Sequence, residues 1–105
     1  MNTAEDAPEI SGSIKGKDID VYKVDIAKSN TINIFFSAPS LGEDAVITVL
    51  DSKGEELYSI QTDSRGEAGL SLDLTSGIFY IKVTLKNGST ATGAYNMISW
   101  LGEWN

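Results

Sequence analysis

The alternation of apolar and polar residues on both sides of one glycine limits the fold of this chain more than any other feature. Apolar residues occupy every second position from Leu70 to Leu74 and again from Phe79 to Leu85, with Thr75-Ser76-Gly77 between the two runs. A period of two is typical of a β-strand with one buried face, so we expect two half-buried antiparallel strands joined by a short connection. Since each apolar face needs a cover, a second layer must pack on it. The pattern therefore predicts an all-β sandwich.

The rest of the chain repeats this kind of segment at the spacing of sandwiches and barrels, which predicts about eight short strands. Ala45 to Leu50 is almost continuously apolar and indicates a central strand. Asp51 to Gly54 has the residues of a turn, and Asn87-Gly88 is the strongest hairpin signal. We expect residues 1–9, which are polar and acidic, to form an arm or linker, and residues 10–105 to form the sandwich.

Composition excludes several classes of function. The 105 residues suffice for one domain, and they include no cysteine and no histidine, which removes thiolate nucleophiles, zinc–sulfur sites and the usual general base. We therefore expect no catalytic residues. The net charge of -7 repels phosphates, so nucleic acid is not an expected partner. Insertion into a membrane is not expected either, because no apolar run approaches about 20 residues. Residues 1–6 do not have the pattern of a signal peptide.

Five segments, in order along the chain, resemble bacterial pre-peptidase C-terminal domains. Ser11–Ile14 and Asp18–Val24 are similar to the opening "GxI…DxDxYxF" of that family. Asp44–Gly54 is similar to its central strand and "DSxG" turn, Leu74–Val83 to its "LxxGxYYIxV" strand, and Gly93–Met97 to its closing "GxYxLxV". The resemblance spans roughly residues 10–100.

The resemblance implies an antiparallel jelly-roll-like β-sandwich, related to the collagen-binding domains of collagenases. It implies a non-catalytic accessory module of a secreted bacterial enzyme, such as a protease, that binds substrate or a surface, or that aids secretion and stability. The implied partners are a domain of the parent enzyme, an extracellular protein or a polysaccharide, and we expect a monomer. The alternative is a structural or interaction sandwich of a larger surface protein, without a ligand of its own.

Calcium is the one cofactor that the resemblance implies, and Asp18 and Asp20 are the candidate metal ligands. Carboxylates close in sequence, on a loop that enters a strand, can supply some of the several oxygens that calcium needs. The alternative is that Asp18 caps the turn and that Asp20 helps to start the strand.

Three aromatic residues are candidates for binding: Tyr80, Trp100 and Trp104. Tyr80 alternates away from Phe79 and Ile81, so we expect it on the outer face of its strand, where an exposed tyrosine offers contact area at little cost in entropy. Trp100 and Trp104 lie near the end of the chain, where they could instead cover an edge of the sandwich or contact a parent domain.

Overall fold

The computed structural model describes residues 9–102, and the predicted all-β fold is confirmed. The strands are β1 (Glu9–Lys15), β2 (Ile19–Ile26), β3 (Asn30–Ser37), β4 (Ala45–Leu50), β5 (Glu56–Gln61), β6 (Glu67–Leu74), β7 (Gly77–Leu85) and β8 (Thr92–Leu101). The segment Pro39–Asp44 is a short 3₁₀ helix that turns at Gly42, where φ is 54°. No helix among residues 9–102 has the length and apolar character that crossing a membrane requires.

The strands form two four-stranded antiparallel sheets that pack face to face as a jelly-roll-like sandwich. Sheet A has the order β1-β8-β3-β6 and sheet B the order β2-β7-β4-β5. The core between them contains the inward residues Ile32, Ile34 and Phe36 of β3, which are at most 3% exposed. Ala45–Leu50 lies inside sheet B between β7 and β5, as expected of a continuously apolar strand.

Consecutive strands alternate between the sheets at every connection except the hairpin of β4 and β5. The two strands that flank Thr75-Ser76-Gly77 are both present, but β6 pairs with β3 in sheet A, whereas β7 pairs with β2 and β4 in sheet B. The alternation of buried residues arises because each strand faces the same core from opposite sides. The pattern thus identified the strands but not their partners.

The prediction of a hairpin at Asn87-Gly88 is wrong, because β7 and β8 lie in different sheets. A two-residue hairpin with Asn-Gly needs positive φ at both central residues. Here only Gly88 has a positive φ, of 84°, and the amide of Ser89 donates to the carbonyl of Lys86 at 3.0 Å. This combination is typical of a type II turn, which does not match the twist of a paired hairpin.

Candidate functional site

The outer face of sheet A carries aromatic side chains on its two central strands. On β3 the inward and outward positions alternate, so Phe35 points away from the core and is 41% exposed. On β8 the outward positions include Ile98, directly opposite Phe35, and Trp100, directly opposite Asn33. Phe35 and Trp100 are therefore diagonal neighbours on adjacent strands, about 7–8 Å apart. We call the surface formed by Phe35, Ile98, Trp100, Asn33 and Asn96 the aromatic face.

The ring of Phe35 lies beside the neighbouring strand β6. Gly69 is its cross-strand partner there, and a Cβ atom built on Gly69 would lie 3.9 Å from Cδ1 of Phe35. A large ring beside a glycine of the adjacent strand covers the backbone that the missing side chain leaves open. The aromatic face is therefore continuous from β8 across β3 to β6.

Hydrogen bonds fix the polar groups of the aromatic face. The hydroxyl of Ser71 donates to Oδ1 of Asn33 at 2.6 Å, and Nδ2 of Asn33 donates to the carbonyl of Gly102 at 2.5 Å. Asn33 is only 2% exposed, although it points outward. At the other end, the hydroxyl of Ser11 donates to Oδ1 of Asn96 at 2.8 Å. These bonds hold the amides in place, so little side-chain entropy remains to be lost on contact with a ligand.

The central strands contribute only uncharged side chains to this face: Thr31, Asn33, Phe35 and Ser37 from β3, and Thr92, Ala94, Asn96, Ile98 and Trp100 from β8. Acidic residues stand at the edge strand, where Asp73 accepts a hydrogen bond of 2.6 Å from Thr31. Aromatic, amide and hydroxyl groups without charge suit a neutral polymer, such as a polysaccharide or an extended polypeptide, better than an ion.

The binding residues expected from the sequence do not share one surface. Tyr80 is half-buried on the outer face of sheet B, between Lys23 of β2 and Leu50 of β4. Its outward direction agrees with the expectation, but it lies on the opposite side of the sandwich from Trp100. Trp104 lies outside the described residues. The binding role of all three stays a prediction.

Phe35 is the aromatic residue of this surface that the sequence interpretation did not single out. It stands between two inward residues, Ile34 and Phe36, so the period of β3 already gives its outward direction. What the period cannot give is that the strand is central in its sheet and that the facing residue on β8 is apolar.

Asp20 belongs to a hydrogen-bonded group that links the two sheets. The hydroxyl of Tyr95 (β8) donates to Oδ2 of Asp20 (β2) at 2.6 Å, and the hydroxyl of Tyr22 bonds to that of Tyr95. A phenol has one proton to donate, and the hydroxyl of Tyr95 uses it in the bond to Asp20. Tyr22 is therefore the donor in the bond between the two tyrosine hydroxyls. Burial raises the pKa of Tyr95, and the bond to Asp20 raises it further, so this phenol stays protonated.

Asp18 closes the turn between β1 and β2, as its structural alternative predicted. Its Oδ2 accepts from the amide of Lys15 at 3.3 Å, and its own amide donates to the carbonyl of Lys15 at 3.0 Å. Asp18 is the one carboxylate among the residues that line a shallow depression of 310 Å³ at this corner. Within residues 9–102, no three Asp, Glu, His or Cys side chains are placed together to hold a metal ion. The metal-binding role of Asp18 and Asp20 stays a prediction.

Two other carboxylates hold turns. The hydroxyl of Ser89 donates to Oδ2 of Asp44 at 2.6 Å, and this bond, together with Lys86 at 3.3 Å, lowers the pKa of Asp44. The amides of Glu67 and Arg65 donate to Oδ1 of Asp63 at 3.1 and 2.9 Å and lower the pKa of Asp63. Both carboxylates are thus engaged in local structure.

No family model matches the sequence, and no curated protein matches it. Solved structures do. The pre-peptidase C-terminal domain of collagenase from Bacillus anthracis superposes with a TM-score of 0.73 at 19% identity, covering 89% of this chain and 88% of that one. The periplasmic inhibitor of g-type lysozyme from Aeromonas hydrophila gives a TM-score of 0.70 at 17% identity, covering 96% and 92%.

A third match is the carbohydrate-binding module CBM36, whose structure contains calcium and xylotriose. It has a TM-score of 0.56 at 15% identity and covers 94% of this chain and 96% of that one. At such identities the likeness concerns the fold. The chain is therefore similar to a class of small β-sandwich modules. Among these modules, the likeness to a pre-peptidase C-terminal domain confirms the resemblance noted in the sequence.

Proposed function

We propose that this protein is a non-catalytic accessory module that binds an extracellular protein or a polysaccharide through its aromatic face. The observation that carries the proposal is the exposed ring of Phe35, placed diagonally to Trp100 on the two central strands of a sheet, whose outward side chains are uncharged. A solvent-exposed ring in this position has no role in the core. Aromatic rings fixed on a rigid sheet provide apolar contact area with few rotatable bonds.

A non-catalytic role agrees with the chemistry of the chain. It has no histidine and no cysteine, and the hydroxyls of Ser11 and Ser71 donate to asparagine oxygens on the aromatic face instead of meeting a base. The modules of similar fold come from a collagenase and from a carbohydrate-binding protein, which supports an origin in a secreted or periplasmic bacterial protein.

The proposal predicts that the purified chain sediments with insoluble collagen or with an insoluble polysaccharide such as xylan or cellulose. Phe35→Ala and Trp100→Ala should each weaken the affinity about thirtyfold or more, because removal of an aromatic residue at the centre of an interface costs about 2 kcal/mol or more. The measurement is the bound fraction as a function of protein concentration.

Tyr58→Ala is the matched control, because Tyr58 is 43% exposed, close to the 41% of Phe35, but lies on β5 of the other sheet. Tyr80→Ala tests the outer face of sheet B in the same assay. Loss of binding in Tyr80→Ala with full binding in Phe35→Ala would move the site to sheet B. Binding retained by every variant would overturn the aromatic face as the site, and no binding by the parent protein would support a structural module without its own ligand.

A further inference from the structure

Strand β2 forms one edge of sheet B, and in the described part of the chain it pairs on one side only, with β7. Two of its outward side chains, Ile19 and Val21, are 62% and 53% exposed and are the most exposed large apolar residues among those described. An edge strand offers unpaired backbone amides and carbonyls, and proteins normally protect such an edge with bulges, prolines or charged side chains.

The other three edge strands contain a glycine or a register shift, whereas β2 is protected only by its charged residues. The pairing of β5 with β4 is interrupted by a register shift between Val49 and Leu50. Strand β1 contains Gly12, and β6 contains Gly69. The pairing of β2 with β7 runs without a register shift from Ile19 to Ile26, and the strand contains neither proline nor glycine.

The charges of β2 are complementary to those of a second β2 strand running antiparallel to it. Lys23 and Asp25 are both exposed on the outer face and flank Val24 symmetrically. A two-fold axis through Val24 therefore places Lys23 of each copy opposite Asp25 of the other, and Val21 opposite Ala27. Opposite charges directly across two antiparallel strands are stabilising, and like charges are destabilising.

The same operation at other places on β2 does not pair opposite charges. An axis through Lys23 or through Asp25 sets identical charges against each other, and an axis through Val21 sets Ile19 against Lys23. On strand β6, an axis through Leu70 sets Glu67 against Asp73, both of which are acidic. Among registers centred on a residue of β2, the one through Val24 is thus the one that sets opposite charges against each other within the strand.

We propose that the partner of β2 is a second copy of this chain, joined through antiparallel β2–β2 pairing into one continuous eight-stranded sheet. This assignment replaces the monomer that the sequence led us to expect. Because the two-fold axis is perpendicular to the sheet, both aromatic faces point in the same direction. The dimer therefore presents two binding faces together, a consequence that rests on the proposed function.

The test is a cycle of charge reversals followed by analytical ultracentrifugation over a range of concentrations up to the millimolar level. The parent chain of 11.3 kDa should form a species of twice that mass. Lys23→Asp and Asp25→Lys should each shift the equilibrium toward the monomer, since each sets like charges together. An equimolar mixture of the two variants should associate again, because every pair in the mixed dimer then has opposite charges.

Lys53→Asp and Glu56→Lys are matched controls that change the net charge equally at sites away from β2, and they should dimerise like the parent. A parent chain that stays monomeric up to millimolar concentration overturns the proposal. Association that neither single reversal weakens, or a mixture that does not recover, also overturns it. The sedimentation assay on polymers is independent, because a monomer that binds through Phe35 would leave the proposed function intact.

Discussion

At the scale of single residues, the absence of a side chain at Gly12 makes the contact between the sheets possible. Gly12 is the cross-strand partner of Tyr95, and a Cβ atom built on it would lie 2.7 Å from the phenol oxygen of that residue. The ring of Tyr95 also stacks on Phe36, with the centroids 5.1 Å apart. The glycine of the opening motif and the tyrosine of the closing motif thus form one contact, which gives a physical reason for both.

We expect Tyr95→Phe to destabilise the protein more than Tyr22→Phe. The first change removes the donor to Asp20 and the acceptor of Tyr22, which leaves two polar groups without their partner and should cost about 1–3 kcal/mol. The second change removes one donor only and should cost about 0.5–1.5 kcal/mol. Urea unfolding of both variants measures the difference, and a larger loss in Tyr22→Phe would contradict the direction of the hydrogen bonds.

The sequence was sufficient to predict whether most side chains point inward or outward, but not to predict which polar groups form hydrogen bonds with each other. The period of two gave the inward residues of β3 and the outward direction of Tyr80. The bonds of Tyr95 to Tyr22 and Asp20 join residues 73 and 75 positions apart, and no local pattern encodes such a contact. Asp18 was predictable as a turn residue, because its partner lies only three residues away.

At the scale of elements, the chain uses the same turn twice. Asp51-Ser52-Lys53-Gly54-Glu55 and Asp63-Ser64-Arg65-Gly66-Glu67 share the pattern D-S-[K/R]-G-E. In each, the aspartate side chain accepts from two amides, its backbone amide donates to the glutamate carbonyl at 2.9 Å, and the glycine has a positive φ, of 85° or 79°. The first turn closes the β4–β5 hairpin, and the second leads from sheet B to sheet A.

The twin turns give a matched pair of substitutions. Gly54→Ala should cost about 1–2 kcal/mol, the penalty of a left-handed backbone for a residue with a side chain, because nothing lies within 4 Å of the added atom. Gly66→Ala should cost several kcal/mol, since its Cβ would lie 2.1 Å from the carbonyl oxygen of Ala38 and the backbone must move.

Chemical denaturation of the two alanine variants distinguishes these costs. Equal destabilisation would mean that the backbone can move Gly66 and Ala38 apart without a further cost in free energy. The amide of Ala38 donates to the carbonyl of Gly66 at 2.8 Å, so such a relaxation would also disturb this bond.

The twin turns also explain which part of the fold the sequence could predict. Turn residues determine the local path of the backbone, so the turns at 51–54 and 62–66 were predictable from their composition. The sheet that the next strand joins depends on packing against distant strands. The same five-residue pattern therefore precedes a hairpin in one case and a crossover in the other, and Asn87-Gly88 was misleading for the same reason.

At the scale of the whole molecule, we expect stability to fall on acidification. Hydrogen bonds hold the pKa of Asp63 and Asp44 below their ordinary value of 3.8, so their stabilisation is present above that value and is lost as the pH falls through the lower folded-state pKa. Asp63→Asn should be less stable than the parent at pH 7, and the difference in free energy of unfolding should become smaller toward pH 3. Urea unfolding at several pH values measures this difference. A difference that does not change with pH would contradict the contribution of the ionised carboxylate.

The position of β8 has a consequence for synthesis of the chain. This strand is the last of those described, yet it lies between β1 and β3 inside sheet A. A nascent polypeptide that has left the ribosome only as far as β7 can assemble sheet B, but β1 then has no neighbour in its own layer. The sandwich can therefore close only after β8 has emerged, so the unfinished domain remains open to chaperones and proteases until that strand has been synthesised.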